Sequence, residues 1–161
     1  MKKLINQLDA EGRRHGVWEG YYPDGTLGWR GHYHHGKLHG VWEDYWGNGT
    51  LRRRGHYHHG KQHGVWEWYR SDGTLLSRVH YHQGKQHGVS EWYYYSDGTL
   101  KGRAHYNMDR LVGLEQEWNE RGGLVKSVDH GGQVPTTEVE ADLVLLMPDP
   151  AEMFAPIKQD F

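Results

Sequence analysis

Glycine recurs in phase along this chain. Gly12, Gly36, Gly60 and Gly84 stand 24 residues apart, and so do Gly16, Gly40, Gly64 and Gly88. A period of this length argues against one asymmetric core. Each copy is one supersecondary unit that buries its apolar side against neighbouring copies. The unit reads G-[KR]-x-H-G-V-W-E-x-Y-x-x-[DN]-G-T-L-x-x-x-x-H-Y-H-x. The fourth copy carries one extra residue between Gly88 and Gly98. A fifth, worn copy starts at Asp109 and keeps Gly113, Trp118 and Gly122.

Each copy holds a hairpin signal. Asp24-Gly25, Asn48-Gly49, Asp72-Gly73 and Asp97-Gly98 are pairs favoured in two-residue type I′ turns. Their flanks are rich in Trp, Tyr, Val and Thr, which suit a pleated strand. The other connection, G-K-x-H-G, supplies two glycines for positive φ. The expected fold is all-β: an elongated, twisted antiparallel β-meander of repeated hairpins. It occupies residues 1–130, with units starting near 12, 36, 60, 84 and 109. A two-residue loop at Asp24-Gly25 pairs Trp18 with Gly31 and Glu19 with Arg30. The same register pairs Trp42 with Gly55, Glu43 with Arg54, Trp66 with Val79 and Glu67 with Arg78. A bulge around Trp92 to Tyr95 absorbs the extra residue of copy four and keeps Glu91 opposite Arg103.

Strand alternation sorts the side chains into two faces. One face is expected to carry Trp18, Trp42 and Trp66, the tyrosines Tyr33, Tyr57, Tyr81 and Tyr106, and the leucines Leu27, Leu51, Leu75 and Leu100. The other carries the Glu–Arg pairs with His32, His56, His80 and His105, and with His34, His58 and His82. A third file, His15, His39, His63 and His87, sits near the far turns.

Aliphatic residues are scarce, and 23 glycines accompany an aromatic content of 13%. Aromatic rings must therefore do the packing. There is no cysteine, so disulfides, thiolate metal sites and cysteine nucleophiles are excluded. A net charge of −2 gives no strong steering toward nucleic acid or membrane. No secretory signal is read at MKKLINQLDA, and the apolar run Leu143 to Met147 is too short for a transmembrane segment, so a cytoplasmic protein is expected. Residues 131–161 form an acidic, proline-containing tail, irregular or partly helical, that caps the last repeat or docks into a partner.

The text G-x-x-H-G-V-W-E-x-Y-x-x-D-G-T-L, closing with Y-x-x-G, resembles the MORN repeat, in the longer bacterial variant of YwqK-type antitoxins. The resemblance covers about four fifths of the chain. It implies an elongated single sheet and a binding role: protein contacts, dimerisation or acidic-lipid contact, with antitoxin or immunity-like members. It assigns no catalytic residue. The histidine density and the tail depart from the usual pattern.

Ten strands make a strip on the order of 45 Å long, too thin to bury both faces. The expected function is a non-catalytic scaffold that binds a partner protein, as an antitoxin or immunity protein does, or as a viral inhibitor of a host defence effector does. A homodimer would cover the same face. The partner-binding residues are then Trp18, Trp42, Trp66, Tyr33, Tyr57 and Tyr81. The alternative is a binder of a phosphate-containing ligand (nucleotide, nucleic acid or acidic lipid) lined by His32, His34, His56, His58, His80, His82, Arg30, Arg54 and Arg78. Exposed tyrosines Tyr21, Tyr45, Tyr69 and Tyr93 would add stacking surface for bases. No cofactor is implied. No metal is expected either: neighbours along one histidine file stand about 10 Å apart, against zinc bonds of about 2 Å. Every Glu and His that might act as a catalytic pair recurs in each copy, whereas an active site is a single constellation. No enzyme is therefore expected.

Overall fold

The computed structural model describes residues 5–135. Eleven strands form one antiparallel sheet in strict chain order. They are β1 (Gln7–Leu8), β2 (Arg14–Tyr21), β3 (Leu27–His34), β4 (Lys37–Tyr45), β5 (Leu51–His58), β6 (Lys61–Tyr69), β7 (Leu75–His82), β8 (Lys85–Tyr93), β9 (Leu100–Asn107), β10 (Arg110–Trp118) and β11 (Leu124–Asp129). The expected all-β meander of hairpins is what the chain adopts.

The register is the one that the repeat text predicts. Trp18 pairs with Gly31 and Glu19 with Arg30. Trp42 pairs with Gly55 and Glu43 with Arg54. Trp66 pairs with Val79, Glu67 with Arg78, and Glu91 with Arg103.

The turns differ from the expectation. In the Asp-Gly connections only the glycine has positive φ, as at Gly25 (85°) and Gly73 (87°), so these are not type I′ turns. Tyr22 N–H donates to Thr26 and Gly25 N–H to Tyr22, closing a three-residue loop with a left-handed glycine. The Asp24 carboxylate accepts the Thr26 N–H at 2.9 Å, and Asn48, Asp72 and Asp97 do the same for Thr50, Thr74 and Thr99. The longer loop alone would slip the register by one. A one-residue bulge on the following strand, at Gly28 in the first copy, restores it. The same bulge occurs in every copy, including copy four, so it does not absorb the extra residue there. That residue lengthens the turn instead, where Gly98 N–H reaches back to Tyr94.

The two-residue turns lie at the opposite edge. His35-Gly36, His59-Gly60, Gln83-Gly84 and Met108-Asp109 all have positive φ at both positions. His35 and His59, at 47° and 49°, thus occupy a conformation that few non-glycine residues adopt. Just beyond, Gly40, Gly64 and Gly88 also turn left-handed. With the following valine they form a two-residue bulge; β5 and β6, for example, pair Arg54 with Glu67 but His56 with His63. The His80 ring nitrogen Nδ1 donates to the Val89 carbonyl at 2.8 Å, and His105 Nδ1 to Leu114 at 3.1 Å. At these positions histidine satisfies a carbonyl that the bulge takes out of the ladder.

The bulge after each Asp-Gly turn also moves the leucine file. Leu27, Leu51, Leu75 and Leu100 pair with Tyr21, Tyr45, Tyr69 and Tyr93. Directly paired residues share a face, so these leucines lie with the Glu–Arg ladder, which corrects the expectation from plain alternation that they lie with the tryptophans.

A single sheet leaves few places to hide. Among the described hydrophobic residues only Trp66, Ala104 and Val112 are buried. Successive repeats are instead tied at both edges. Gly36, Gly60 and Gly84 donate their N–H groups to Arg14, Leu38 and Gln62 of the preceding repeat at 2.7–2.8 Å. At the other edge Tyr22, Trp46, Arg70 and Tyr94 use three kinds of donor for one bond, each reaching a carbonyl of the next hairpin at 2.6–3.1 Å. After β11, His130 and Gly131 bond to Gly113, and Val134 packs on that glycine. The tail positions from residue 136 to 161 lie outside the described residues.

Candidate functional site

The aromatic face is built from two rows that run across the sheet. The first row is Trp18, Gly31, Trp42, Gly55, Trp66, Val79, Ser90 and Ala104. Large and small residues alternate because the indoles of Trp42 and Trp66 each lie over the glycine of the preceding strand. A Cβ added at Gly31 would meet Trp42 at 2.7 Å, and one at Gly55 would meet Trp66 at 2.2 Å. The ring over Gly31 is therefore that of Trp42 and not its hairpin partner Trp18. This explains Val79: its lid position holds Ser90, not tryptophan, and a side chain fits there.

The second row was not anticipated: Gly20, Trp29, Asp44, Arg53, Trp68, Ser77, Trp92 and Gly102. The residues vary between copies, so a consensus hides them, although alternation places each two residues after or before a member of the first row. Trp29 and Trp42 stack at 5.3 Å with planes 9° apart. Asp44 is buried and held by Arg52 at 3.1 Å and Arg53 at 2.6 Å. These groups line a hollow of about 290 Å³ between Trp29, Trp42, Tyr22 and Arg52.

All six residues expected to bind a partner lie on this face. Tyr33 packs edge-on to Trp18, and Tyr57 sits edge-on between Trp42 and Trp66 at 6.2 and 5.0 Å. Tyr81 contacts Trp66 and Trp68. Arg14 covers Trp18 at 4.5 Å and donates to the Tyr33 hydroxyl. Trp66 has no exposed surface, so it serves as core, whereas Trp18, Trp42 and the tyrosines are half-buried.

The opposite face is an alternating ion ladder. Arg30 bonds Glu19 at 2.8 Å and lies 3.9 Å from Glu43. Arg54 faces Glu43 in register yet bonds Glu67 at 2.8 Å, which also takes Arg78 at 3.0 Å. Arg103 bonds Glu91 at 2.9 Å. Burial would raise the Glu67 carboxyl, but donation from Tyr69, Arg54 and Arg78 outweighs it and holds the group below its usual range. The tyrosines expected to be open for stacking donate to this ladder: Tyr21 to Glu19, Tyr45 to Glu43, Tyr69 to Glu67 and Tyr93 to Glu91. Burial, then the bond to Glu43, pushes the Tyr45 hydroxyl up to about 12. His56 lies on this face beside Glu67 and Arg54, and burial pushes its ring down.

The histidine files do not stay apart as their spacing within one file suggests. At the edge of the two-residue turns, files from adjacent strands interleave. Ring centroids follow one another from His15 to His34 (5.5 Å), His39 (5.9 Å), His58 (5.3 Å), His63 (6.1 Å), His82 (5.3 Å) and His87 (5.6 Å). His35 and His59 join from the turns, each 4.3 Å from its chain neighbour. Burial and the nearby His82 push the His87 ring down. His32, His56 and His80 sit farther along the strands, so the expected ligand set His32 to His82 is divided between two environments.

Among known proteins, a solved structure of S. aureus TarM, a mutant in complex with Fondaparinux, alpha-GlcNAc-glycerol and UDP, overlaps 60% of this chain and 19% of that one, at 13% identity and a TM-score of 0.40. That overlap is too slight to relate the two proteins. No curated protein matches the chain. The MORN repeat variant family matches residues 14–27, 38–59 and 62–83, a hit over three of the hairpin repeats described above.

Proposed function

We propose that the chain is a non-catalytic repeat scaffold that binds a partner protein through its Trp/Tyr/Arg face, neutralising an effector by occlusion as an antitoxin or immunity protein does. The observation that carries this reading is the set of half-buried rings on one face, Trp18 with Tyr33 and Trp42 with Tyr57, packed beside the core ring Trp66 and braced by Arg14 and Arg53. These are the side chains that dominate protein interfaces, and here their rings already pack on one another and under arginine in the chain by itself. The match to MORN repeats is consistent with a scaffold role.

The ion ladder weakens the phosphate-ligand alternative. Arg30, Arg54 and Arg78 each engage a glutamate, so an incoming phosphate would meet carboxylates and have to displace them. The test is photo-crosslinking from position 33 and from position 56 in host extract, followed by affinity measurement with the captured protein. The expected result is a saturable 1:1 complex captured from position 33. Trp18→Ala with Tyr33→Ala should weaken it at least tenfold, and Arg54→Gln should change it less than twofold. A complex indifferent to the aromatic pair but abolished by Arg54→Gln and by salt would overturn the reading in favour of the phosphate ligand.

A further inference from the structure

The histidine edge breaks the repeat symmetry at one place. His39, His58 and His59 each offer one ring nitrogen, and the three nitrogens lie within 4.8 Å of one another. His39 stands at the bulge of β4. His58 ends β5 on the adjoining strand, because Gly40 pairs with Tyr57. His59 is presented by the positive φ of the two-residue turn. Three residues from two strands and a rigid turn therefore point at one volume on the open edge.

The other rungs do not match it. In the first, His35 is already engaged by Asp9 at 2.8 Å and Arg13 at 2.8 Å. A second cluster, Asp9, Glu11 and His35, is occupied by the protein's own cation: Arg13 bonds Asp9 at 2.9 Å and Glu11 at 2.8 Å. In the third rung the turn residue is Gln83, with the same backbone conformation (φ 51°) but no ring nitrogen. In the fourth it is Met108.

We propose that His39, His58 and His59 form a divalent transition-metal site of the zinc class, with three imidazole ligands and one open position. Zinc bonds to imidazole nitrogen are about 2.0–2.1 Å, which sets ligand nitrogens about 3.4 Å apart in a tetrahedron. The three nitrogens start within 4.8 Å of one another, on two half-buried rings and one exposed ring, so ligation draws them together by little more than about 1 Å. Three neutral imidazoles suit zinc, copper or nickel and not calcium or magnesium, which demand oxygen donors. A bound ion clamps β4 to the β5–β6 turn, so metal binding stabilises the array by mass action. The open position takes water or a donor group from a docked molecule.

Histidine-rich surfaces bind nickel resin whatever their geometry, so the test is stoichiometric. Untagged full chain is stripped of metal and titrated with zinc by calorimetry, and with cobalt by visible absorption. The expected result is one site per chain with the d–d absorption of four-coordinate cobalt. His59→Gln, which copies the natural third rung, should weaken zinc binding at least tenfold and abolish the zinc-induced rise in Tm. His82→Gln, two strands away, should change the affinity less than twofold. Circular dichroism confirms the fold of both variants. Zinc affinity unchanged in His59→Gln, or multiple weak sites reduced equally by either substitution, would overturn the proposal.

Discussion

Gly55→Val places the heaviest stress on the rule that orders the aromatic face. A Cβ at this position would stand 2.2 Å from Trp66 Cδ2, 2.4 Å from Cε2 and 2.6 Å from Cγ. Carbon atoms rest about 3.5–4.0 Å apart, so the indole must lift by more than about 1 Å. Trp66 is the one large hydrophobic side chain with no exposed surface among the described residues, and its Nε1 donates to the His56 carbonyl at 3.1 Å. Overpacking costs about 1–3 kcal/mol, and the upper end applies because the obstacle is a ring in full contact. Loss of the indole bond adds about 1 kcal/mol. A total of about 3–4 kcal/mol lowers Tm by roughly 10–15 °C in an array of this size. Trp66→Ser alone should cost about 3–5 kcal/mol by opening a cavity. The double variant reproduces the natural pair Val79 and Ser90, so the two losses should not add. A double-mutant cycle by urea denaturation, followed by far-UV circular dichroism, should return a favourable coupling of about 2 kcal/mol. Strict additivity within about 0.5 kcal/mol, or a Gly55→Val variant as stable as the parent, would refute the reasoning.

Other outcomes follow from the ion pairs and the buried rings. Asp44→Ala leaves Arg52 and Arg53 facing each other on the aromatic face; because both arginines reach solvent, the cost in urea denaturation should be about 1–2 kcal/mol, well under the figure for a fully buried pair. Stability should fall as pH drops below about 6.5, because His56 is held below its ordinary value and the unfolded chain takes up its proton first. Thermal melts between pH 7.5 and 5.5 should show a shallower decline in His56→Gln; an unchanged slope would remove His56 as a cause. A second decline should appear below about pH 4.3, where the depressed Glu67 carboxyl, ionised in the folded state, is outcompeted for protonation by its unfolded form. Glu67→Gln should flatten this acid limb and lower stability at pH 7 by about 1 kcal/mol, since its partners Arg54 and Arg78 are half-exposed.

The residue order alone determined the meander and the hairpin register that sets Trp18, Trp42 and Trp66, and Glu19, Glu43, Glu67 and Glu91, opposite their cross-strand partners. A 24-residue period allows one hairpin per copy, and the two-residue strand period then leaves only one register that matches Glu to Arg in each copy. Asp-Gly was legible as a turn but not as a turn type: the pair serves a two-residue loop with two positive φ values or a three-residue loop with one, and the bulge at Gly28 hides the difference from any residue beyond it. That bulge also carries the leucine file to the other face. Neighbours in three dimensions decided the rest. Whether a tryptophan leans over the glycine before it or after it depends on which side of its strand has room. Within one file the histidines stand about 10 Å apart, and strand spacing alone gives no closer approach. The left-handed backbone at His59 and the bulge at Gly40 bring separate files to one edge, and only the folded sheet makes neighbours of them.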